Sequence, residues 1–357
     1  MDAEFPDGSD PVVDWRDAVS HASPPPELTT VGPDFAVVHE GPLVRRYADL
    51  EPGTHHELEG FAFTTLAPRG ELLATFATVN DVHFGEEVCG EVHGTDIGPT
   101  FRSEPGDRPY PELMNRAAAA EISLLAPVAV LVKGDLTSNG TEAEYEAFRA
   151  VYEPAFGDRL HVIRGNHESY NHAPFARASI QRVDLPGVCA VLVDTSVDGS
   201  PSGTVTAEQL DEIDSIAASA DRPVLLFGHH HVGDADSPER ADHTFGIDLH
   251  ASALLVDLIS RRPIVRGFFS GHTHRNRVRT FEATGDVPYG EVASVKDFPG
   301  VWAEYRVYED GILQIVHRIS DPAALRWSDR TRHMFQGLYE DYAFGTLEDR
   351  CYEISIG

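Results

Sequence analysis

A layered α/β architecture is the fold class that this sequence predicts, and three observations carry the prediction. From Leu72 onward, short apolar runs of strand length alternate with longer amphipathic segments of helix length, the pattern of sheets covered by helices. Most of the strand-like runs stop at short stretches rich in His, Asp or Asn, where loops at the carboxyl edge of a sheet gather functional groups. At 357 residues the chain can bury a large core, and its 41% hydrophobic and 24% charged content is that of an ordinary globular protein.

Taken in order, residues 1–26 are rich in Pro, Asp and Ser, end in Pro24-Pro25-Pro26, and predict an irregular lead-in. Residues 27–70 hold short β-like runs, Phe35-Ala36-Val37-Val38 and Phe61 to Leu66. They are expected to form a small β appendage, because the segment is about half the length of a full sandwich. The main domain is expected over residues 71–320. Leu73 to Val79 reads as a strand, Pro111 to Leu125 as a helix with the alanine run Ala117 to Ala120, and Val128 to Val132 as a strand. Thr141 to Val151 reads as a helix with Glu142, Glu144 and Glu146 on its acidic side. Strands follow at Leu160 to Ile163, Val188 to Val193, Val224 to Phe227 and Ile264 to Phe269, with a helix over Ala207 to Ala220 opened by Thr206. Glu304 to Tyr308 and Ile312 to Val316 form a hairpin around Glu309-Asp310-Gly311. Residues 321–357 read as an amphipathic helical tail.

The formal net charge of -30 opposes a nucleic-acid backbone as partner, since that binding needs a clustered positive surface, and it disfavours anionic membranes. Acidity reads instead as a solubility device or an adaptation to a salty interior. Lysine occurs only at Lys133 and Lys296, which reads as compositional bias without bearing on mechanism. Cys89, Cys189 and Cys351 show neither pairing nor metal-ligand spacing, as expected in a reducing compartment. The acidic segment Met1 to Trp15 has no apolar stretch resembling a signal peptide, and no window reaches bilayer-spanning length. A cytoplasmic protein is the expectation.

Five stretches carry the chemistry: Asp81-Val82-His83, Gly134-Asp135, Gly165-Asn166-His167-Glu168, His229-His230-His231 and Gly271-His272-Thr273-His274. Each alone is a common loop motif; their conjunction, in order and mostly after strands, points to a metal site. Together they resemble the calcineurin-like metallophosphoesterase pattern D-x-H, G-D, G-N-H-D/E, H, G-H-x-H, a resemblance covering roughly residues 72–318. It implies a two-sheet α/β/β/α sandwich and two divalent metal ions, which in such sites lie about 3.5–4 Å apart and clamp the attacking and leaving oxygens of a displacement at phosphorus. Carried over by position, Asp81, His83 and His274 would hold one metal, Asn166, His229 and His272 the other, and Asp135 would bridge them, with a hydroxide between the metals attacking phosphorus. The ligand types suit Mn, Fe or Zn without choosing among them. Relatives usually carry H-x-P at the fourth stretch with the first histidine on the metal, which favours His229 over His230; His231 stands at the proline position.

The resemblance makes His167 the group that assists the leaving oxygen. Many relatives carry an acid three residues after the bridging aspartate to orient that histidine. Here the position is Ser138, leaving Glu168 as the candidate to take over. The D-x-H histidine, and Thr137 and Ser138 after Asp135 where purple acid phosphatases carry a tyrosine ligand, disfavour that branch. The phrase Gly134 to Glu144 resembles bacterial phosphodiesterases of cyclic nucleotides and glycerophosphodiesters. The expected activity is therefore hydrolysis of a small-molecule phosphate ester, diesters preferred, with a phosphomonoesterase or a non-catalytic metal-binding interaction module as alternatives. Asn171 and His172 are candidates to line the cleft, and His93 to reach substrate from a loop. Arg275 and Arg277 would either contact phosphate or form a solvated strand face. His39, His55, His56, His161, His243, His317 and His333 read as surface or structural residues.

Overall fold

The computed structural model of the chain describes residues 24–92 and 97–357; most of the lead-in expected at residues 1–26, and His93, lie outside them. An antiparallel sheet of β1 (Glu27–Val31), β2 (Ala36–Glu40) and β3 (Leu43–Tyr47) comes first, then the hairpin β4 (His55–Leu58) and β5 (Phe61–Thr64). The next elements are β6 (Leu72–Val79), α1 (Tyr110–Leu124), β7 (Val130–Lys133), α2 (Glu142–Phe156), β8 (Leu160–Ile163) and the short α3 (Asn166–Tyr170). They lead into β9 (Ile180–Leu185), β10 (Val188–Val193), α4 (Ala207–Ser219), β11 (Val224–Phe227), α5 (Leu249–Arg261), β12 (Val265–Ser270), β13 (Arg277–Arg279) and β14 (Tyr289–Glu291). The chain closes with the hairpin β15 (Val301–Tyr308) and β16 (Gly311–Arg318), then α6 (Pro322–Thr331), α7 (Tyr339–Phe344), α8 (Leu347–Arg350) and β17 (Cys351–Ile354).

Two six-stranded sheets result, ordered β17-β16-β15-β6-β7-β8 and β13-β14-β12-β11-β10-β9. β6, β7 and β8 run parallel, as do β10, β11, β12 and β14. The inner faces of the sheets share one core, in which Phe76 stacks on Tyr305 (4.7 Å between ring centroids) and both meet Phe227 edge-on. α1, α2 and α6 cover the outer face of the first sheet, and α4 and α5 that of the second. The α/β/β/α sandwich is thus the observed fold.

Helix starts follow local chemistry. Thr141 and Thr206 each accept from the backbone N–H three residues on, while Glu144 and Gln209 return the bond, closing capping boxes at α2 and α4. α5 goes beyond the sequence expectation, although Asp248 caps it and its apolar side chains Ala251, Leu255, Leu258 and Ile259 fall on one buried face. α2 also runs past the expected end at Val151 to Phe156 and carries Pro154 inside its last turn. The tail needs a correction. α6, α7 and α8 are helical, but Cys351–Ile354 is an edge strand on β16, with Cys351 and Ile354 buried and Glu353 exposed. The appendage packs on this edge: Phe35 and Val37 join Leu313, Ile315 and Cys351 in one apolar cluster. No helix among the described residues is long and apolar enough to cross a membrane.

Phe227 is fully buried between the sheets. Truncation there leaves a cavity that both sheets resist closing, so Phe227→Ala is expected to destabilise the fold by about 3–5 kcal/mol. A denaturant titration with unchanged m-value and a lowered midpoint is the expected result.

Candidate metal centre

All five motif stretches follow a strand. Asp81 and His83 come after β6, Asp135 after β7, and Asn166 and His167 after β8, all in one sheet; His229–His231 follow β11 and His272–His274 follow β12 in the other. The site therefore sits at the carboxyl edge of both sheets, over the seam between them. The backbone there is strained. Of the thirteen described non-glycine residues with positive φ, five are Asp81 (54°), His83 (47°), Asp135 (49°), His272 (67°) and His274 (54°). Such conformations persist where the surroundings over-determine them, and they concentrate at functional sites. The glycines have steric reasons. A Cβ at Gly165 would collide with Asp135 Oδ1 and stand 2.8 Å from His229 Nε2, and one at Gly271 would lie 2.6 Å from Asp81 Oδ2.

The structure brings Asp81, His83, Asp135, Asn166, His167, His229, His272 and His274 into one cluster. Asp135 Oδ2 lies 3.4 Å from His83 Nε2, 3.3 Å from His229 Nε2 and 3.9 Å from His167 Nε2. His274 Nε2 is 3.5 Å from Asp81 Oδ1, and His229 Nε2 is 3.0 Å from Asn166 Oδ1. Ligand atoms of Asp81, His83 and His274 fall within 4.8 Å of one another, as do those of Asp81, Asp135 and His229, and of His229, His230 and His272. Asp135 thus stands between two potential coordination groups. Both ring nitrogens of His83 and Nε2 of His230 are buried without a hydrogen-bond partner. Two buried carboxylates, clustered imidazoles and orphaned ring nitrogens form a donor set that fits divalent cations.

His229 and His230 have different surroundings. His229 Nδ1 donates to Lys133 O (2.8 Å), which turns Nε2 toward Asp135, whereas His230 Nδ1 pairs with Thr195 Oγ1 (2.9 Å). Electrostatics separate the histidines as well. Burial lowers His229 and His274, but Asp135 and Asp81 more than offset it at His229, and Asp297 and Asp81 at His274, raising them to about 9 and about 10. Burial followed by repulsion from neighbouring cations pushes His83 well down, and burial with repulsion from His229 takes His272 to about 3.

Glu168 does not orient His167. It is buried and accepts from Thr137 N, Thr137 Oγ1 and Gly165 N, bracing the loops from below. The orienting group is the backbone carbonyl of Ser138, 2.7 Å from His167 Nδ1, so the expectation from the missing acid is met by main chain instead. Asn171 Nδ2 donates to His167 O, and His172 is exposed beside Asp198. Arg275 and Arg277 take neither expected role: both are drawn into an ion-pair network with Asp242, which Arg275 shares with Glu291. His39 and His317 are structural, bonded to Thr29 and Glu304 respectively.

Sequence reasoning missed Lys296, Asp297 and Glu86. Asp297 Oδ2 lies 3.2 Å from His274 Nδ1, and Lys296 Nζ pairs with Glu86 (2.5 Å) and Asp297 (3.3 Å). The scarcity of lysine was the signal. Both lysines of the chain are buried at this site, for Lys133 Nζ donates to Ser270 O (2.8 Å) and ties β7 to β12 beneath it.

The sequence model of the calcineurin-like phosphoesterase family matches residues 74–276, more than half of the chain. The chain belongs to the calcineurin-like phosphoesterase family. The chain is 29% identical over 170 residues to a cAMP/cGMP dual specificity phosphodiesterase of Mycobacterium tuberculosis, covering 44% of the chain and 52% of the relative. It is 29% identical over 153 residues to a 3′,5′-cyclic adenosine monophosphate phosphodiesterase of Pseudomonas aeruginosa, covering 41% and 54%. The chain thus spans about half the length of these curated relatives. Its fold is similar to a dimetal phosphatase from Danio rerio, with a TM-score of 0.57, 14% identity, and coverage of 80% of this chain and 100% of that one.

With His229 and His274 raised to about 9 and about 10, both imidazoles carry protons at neutral pH in the protein alone. A cation that binds their nitrogens must displace those protons. Its apparent affinity is therefore expected to rise with pH until about pH 9–10, releasing roughly two protons at pH 7. Calorimetric titration of Mn²⁺ or Zn²⁺ into chelator-stripped protein, in buffers of different ionisation enthalpy, counts those protons; pH-independent affinity across pH 6–9 contradicts the assignment.

Proposed function

We propose that this phosphoesterase is a metal-dependent phosphodiesterase for small esters, with 3′,5′-cyclic nucleotides as first candidates because relatives bear that activity in their names. In this reading Asp81, His83 and His274 would hold one divalent ion and Asn166, His229 and His272 the other, with Asp135 shared between them. The ions, when bound, supply Lewis-acid stabilisation of charge on the phosphoryl and leaving oxygens. His167 keeps its Nδ1–H on the Ser138 carbonyl, which leaves Nε2 as the atom that delivers a proton to the leaving oxygen.

The observation that carries the diester preference is the charge of the cleft. Among its described lining residues, Lys296 is the one lysine or arginine, and Glu86 and Asp297 already neutralise it. Glu91 adds a further carboxylate at the rim. A diester brings one negative charge, whereas a monoester at neutral pH brings nearly two, and beyond the two metal ions of this reading the described lining offers no unpaired lysine or arginine to meet the second. The overall acidity of the chain adds the same bias and supports a small ester rather than a nucleic-acid polymer as substrate.

Metal-loaded protein is expected to hydrolyse bis-p-nitrophenyl phosphate with a higher kcat/KM than p-nitrophenyl phosphate. The reverse order overturns the diester reading, and inactivity on both with two metals bound overturns the enzymatic one. His167→Ala should keep its metal content and lose roughly 10²–10⁴-fold in turnover of cyclic AMP, with a smaller loss on nitrophenyl esters, whose leaving group needs no proton. Equal losses on both ester types refute proton delivery by His167.

A further inference from the structure

We infer that the C-terminal segment Met334–Tyr342 builds a subsite for a planar aromatic ring of the ester, the size of a nucleobase, beside the histidine–aspartate cluster. The inference rests on the phosphodiester reading for what is cleaved, and on this segment's geometry for where the rest of the molecule lies.

The cleft over the cluster holds about 590 Å³ and has two unlike sides. One side is the polar group described above. The other is Met334, Phe335, Leu338, Tyr339 and Tyr342, which come from beyond the residues 74–276 that match the family. Phosphoryl chemistry needs only the polar side, so the apolar side is available to the organic part of the substrate.

Scattered exposed apolar residues need no explanation, but these gather on one lip of a reactive cleft. Leu338 is 71% exposed and Tyr342 43%, with Phe335 half-buried. The lip is also held rigidly. Tyr342 Oη donates to Thr273 O (2.8 Å), between the two histidines of the last motif, and Tyr339 Oη to Asp297 Oδ1 (2.9 Å). Gln336 N donates to Gly98 O (2.8 Å) across the cleft loop. Phe335, Gln336 and Gly337 are three consecutive left-handed residues, with φ of 52°, 59° and 85°. Two non-glycine residues in that region are costly, and they bring the Phe335 ring to the cleft instead of continuing a helix.

The chemistry of the lip favours a ring over a flexible chain. Phe and Tyr offer flat faces that stack on a base whatever its identity. The buried Arg275 guanidinium lies 5.6 Å from the Tyr342 ring centroid and fixes that ring from behind. Glu91, which also lines the cleft, is an acceptor for the N–H or O–H donors of a nucleoside.

Two diesters with the same leaving group test this: the p-nitrophenyl ester of thymidine 5′-phosphate, and methyl p-nitrophenyl phosphate, which has no ring to place on the lip besides the shared one. Leu338→Ala and Phe335→Ala are expected to lower the ratio of kcat/KM, nucleoside over methyl ester, roughly tenfold, mainly through KM. An unchanged ratio overturns the subsite, and an equal loss on n-hexyl p-nitrophenyl phosphate replaces the aromatic ligand by any apolar one. If wild type cleaves neither diester, the phosphodiester reading has failed, and the subsite is read by binding alone. Adenosine 5′-monophosphate should then bind metal-loaded protein more tightly than ribose 5-phosphate, with the difference reduced in Leu338→Ala; equal affinities overturn it.

Discussion

Two carboxylates, Asp81 and Asp135, are removed from water at the seam between two sheets, and the surrounding architecture answers the electrostatic demand they create. Neither has a lysine or arginine within ion-pair distance among the described residues; their close partners are the imidazoles of His83, His229 and His274. Backbone donors supply the rest. His167 N donates to Asp135 Oδ1, and His272 N points at both oxygens of Asp81. Each donor belongs to a residue that itself faces the cluster, so orienting a histidine and stabilising a carboxylate are one structural act. Burial opposes the charge of Asp135, but attraction to His229 and then His167, with a hydrogen bond to His229, keeps it ionised.

That arrangement works only if the two sheets keep their relative position. Asp81 and His272 come from different sheets, and their contact is reinforced just below by Lys133 Nζ on Ser270 O. Asn80 Nδ2 donates to Val292 O as well as to Asp81, and Ser294 Oγ donates to Asp81 O. Beneath them the Phe76, Phe227, Tyr305 and Phe269 rings interlock across the inter-sheet space. An interior packed at crystal-like density transmits small displacements rather than absorbing them. The loops carrying the histidines are therefore as well placed as the strands that feed them.

What was legible in the sequence follows from which groups act. The motif positions could be read because side chains do the work and because each glycine is forced by a near neighbour, as at Gly165 against Asp135 and His229. The orientation of His167 could not, since the Ser138 carbonyl is main chain and every residue has one. Asp297 and Lys296 reach the cluster from a loop before β15 that carries no motif, and only the fold brings them beside His274. α5 escaped notice although its cap and apolar face are regular, whereas β17 is four residues long and becomes a strand through pairing with β16. Short edge strands are decided by tertiary contact more than by their own residues.

The appendage and the tail, which read as separate attachments in the sequence, are one structure. Glu27, at the start of β1, is shared by Arg318 at the end of β16 and by Arg332, two residues before the cleft-lining Met334. Arg332 also pairs with Asp329 and Glu340, on either side of the same turn. Arg350 donates to the carbonyls of Leu28 and Thr29 in β1 and of Phe344 and Gly345 at the end of α7. Replacing buried ion pairs of this kind by apolar residues is often neutral for stability, whereas removing one partner leaves a charge stranded. Their consequence here is geometric: they fix where the strained Phe335–Gly337 turn sits. A change at Glu27, remote in sequence from every motif, leaves Arg318 and Arg332 both leaning on Asp329 and so reaches the wall of the cleft without touching the histidine–aspartate cluster.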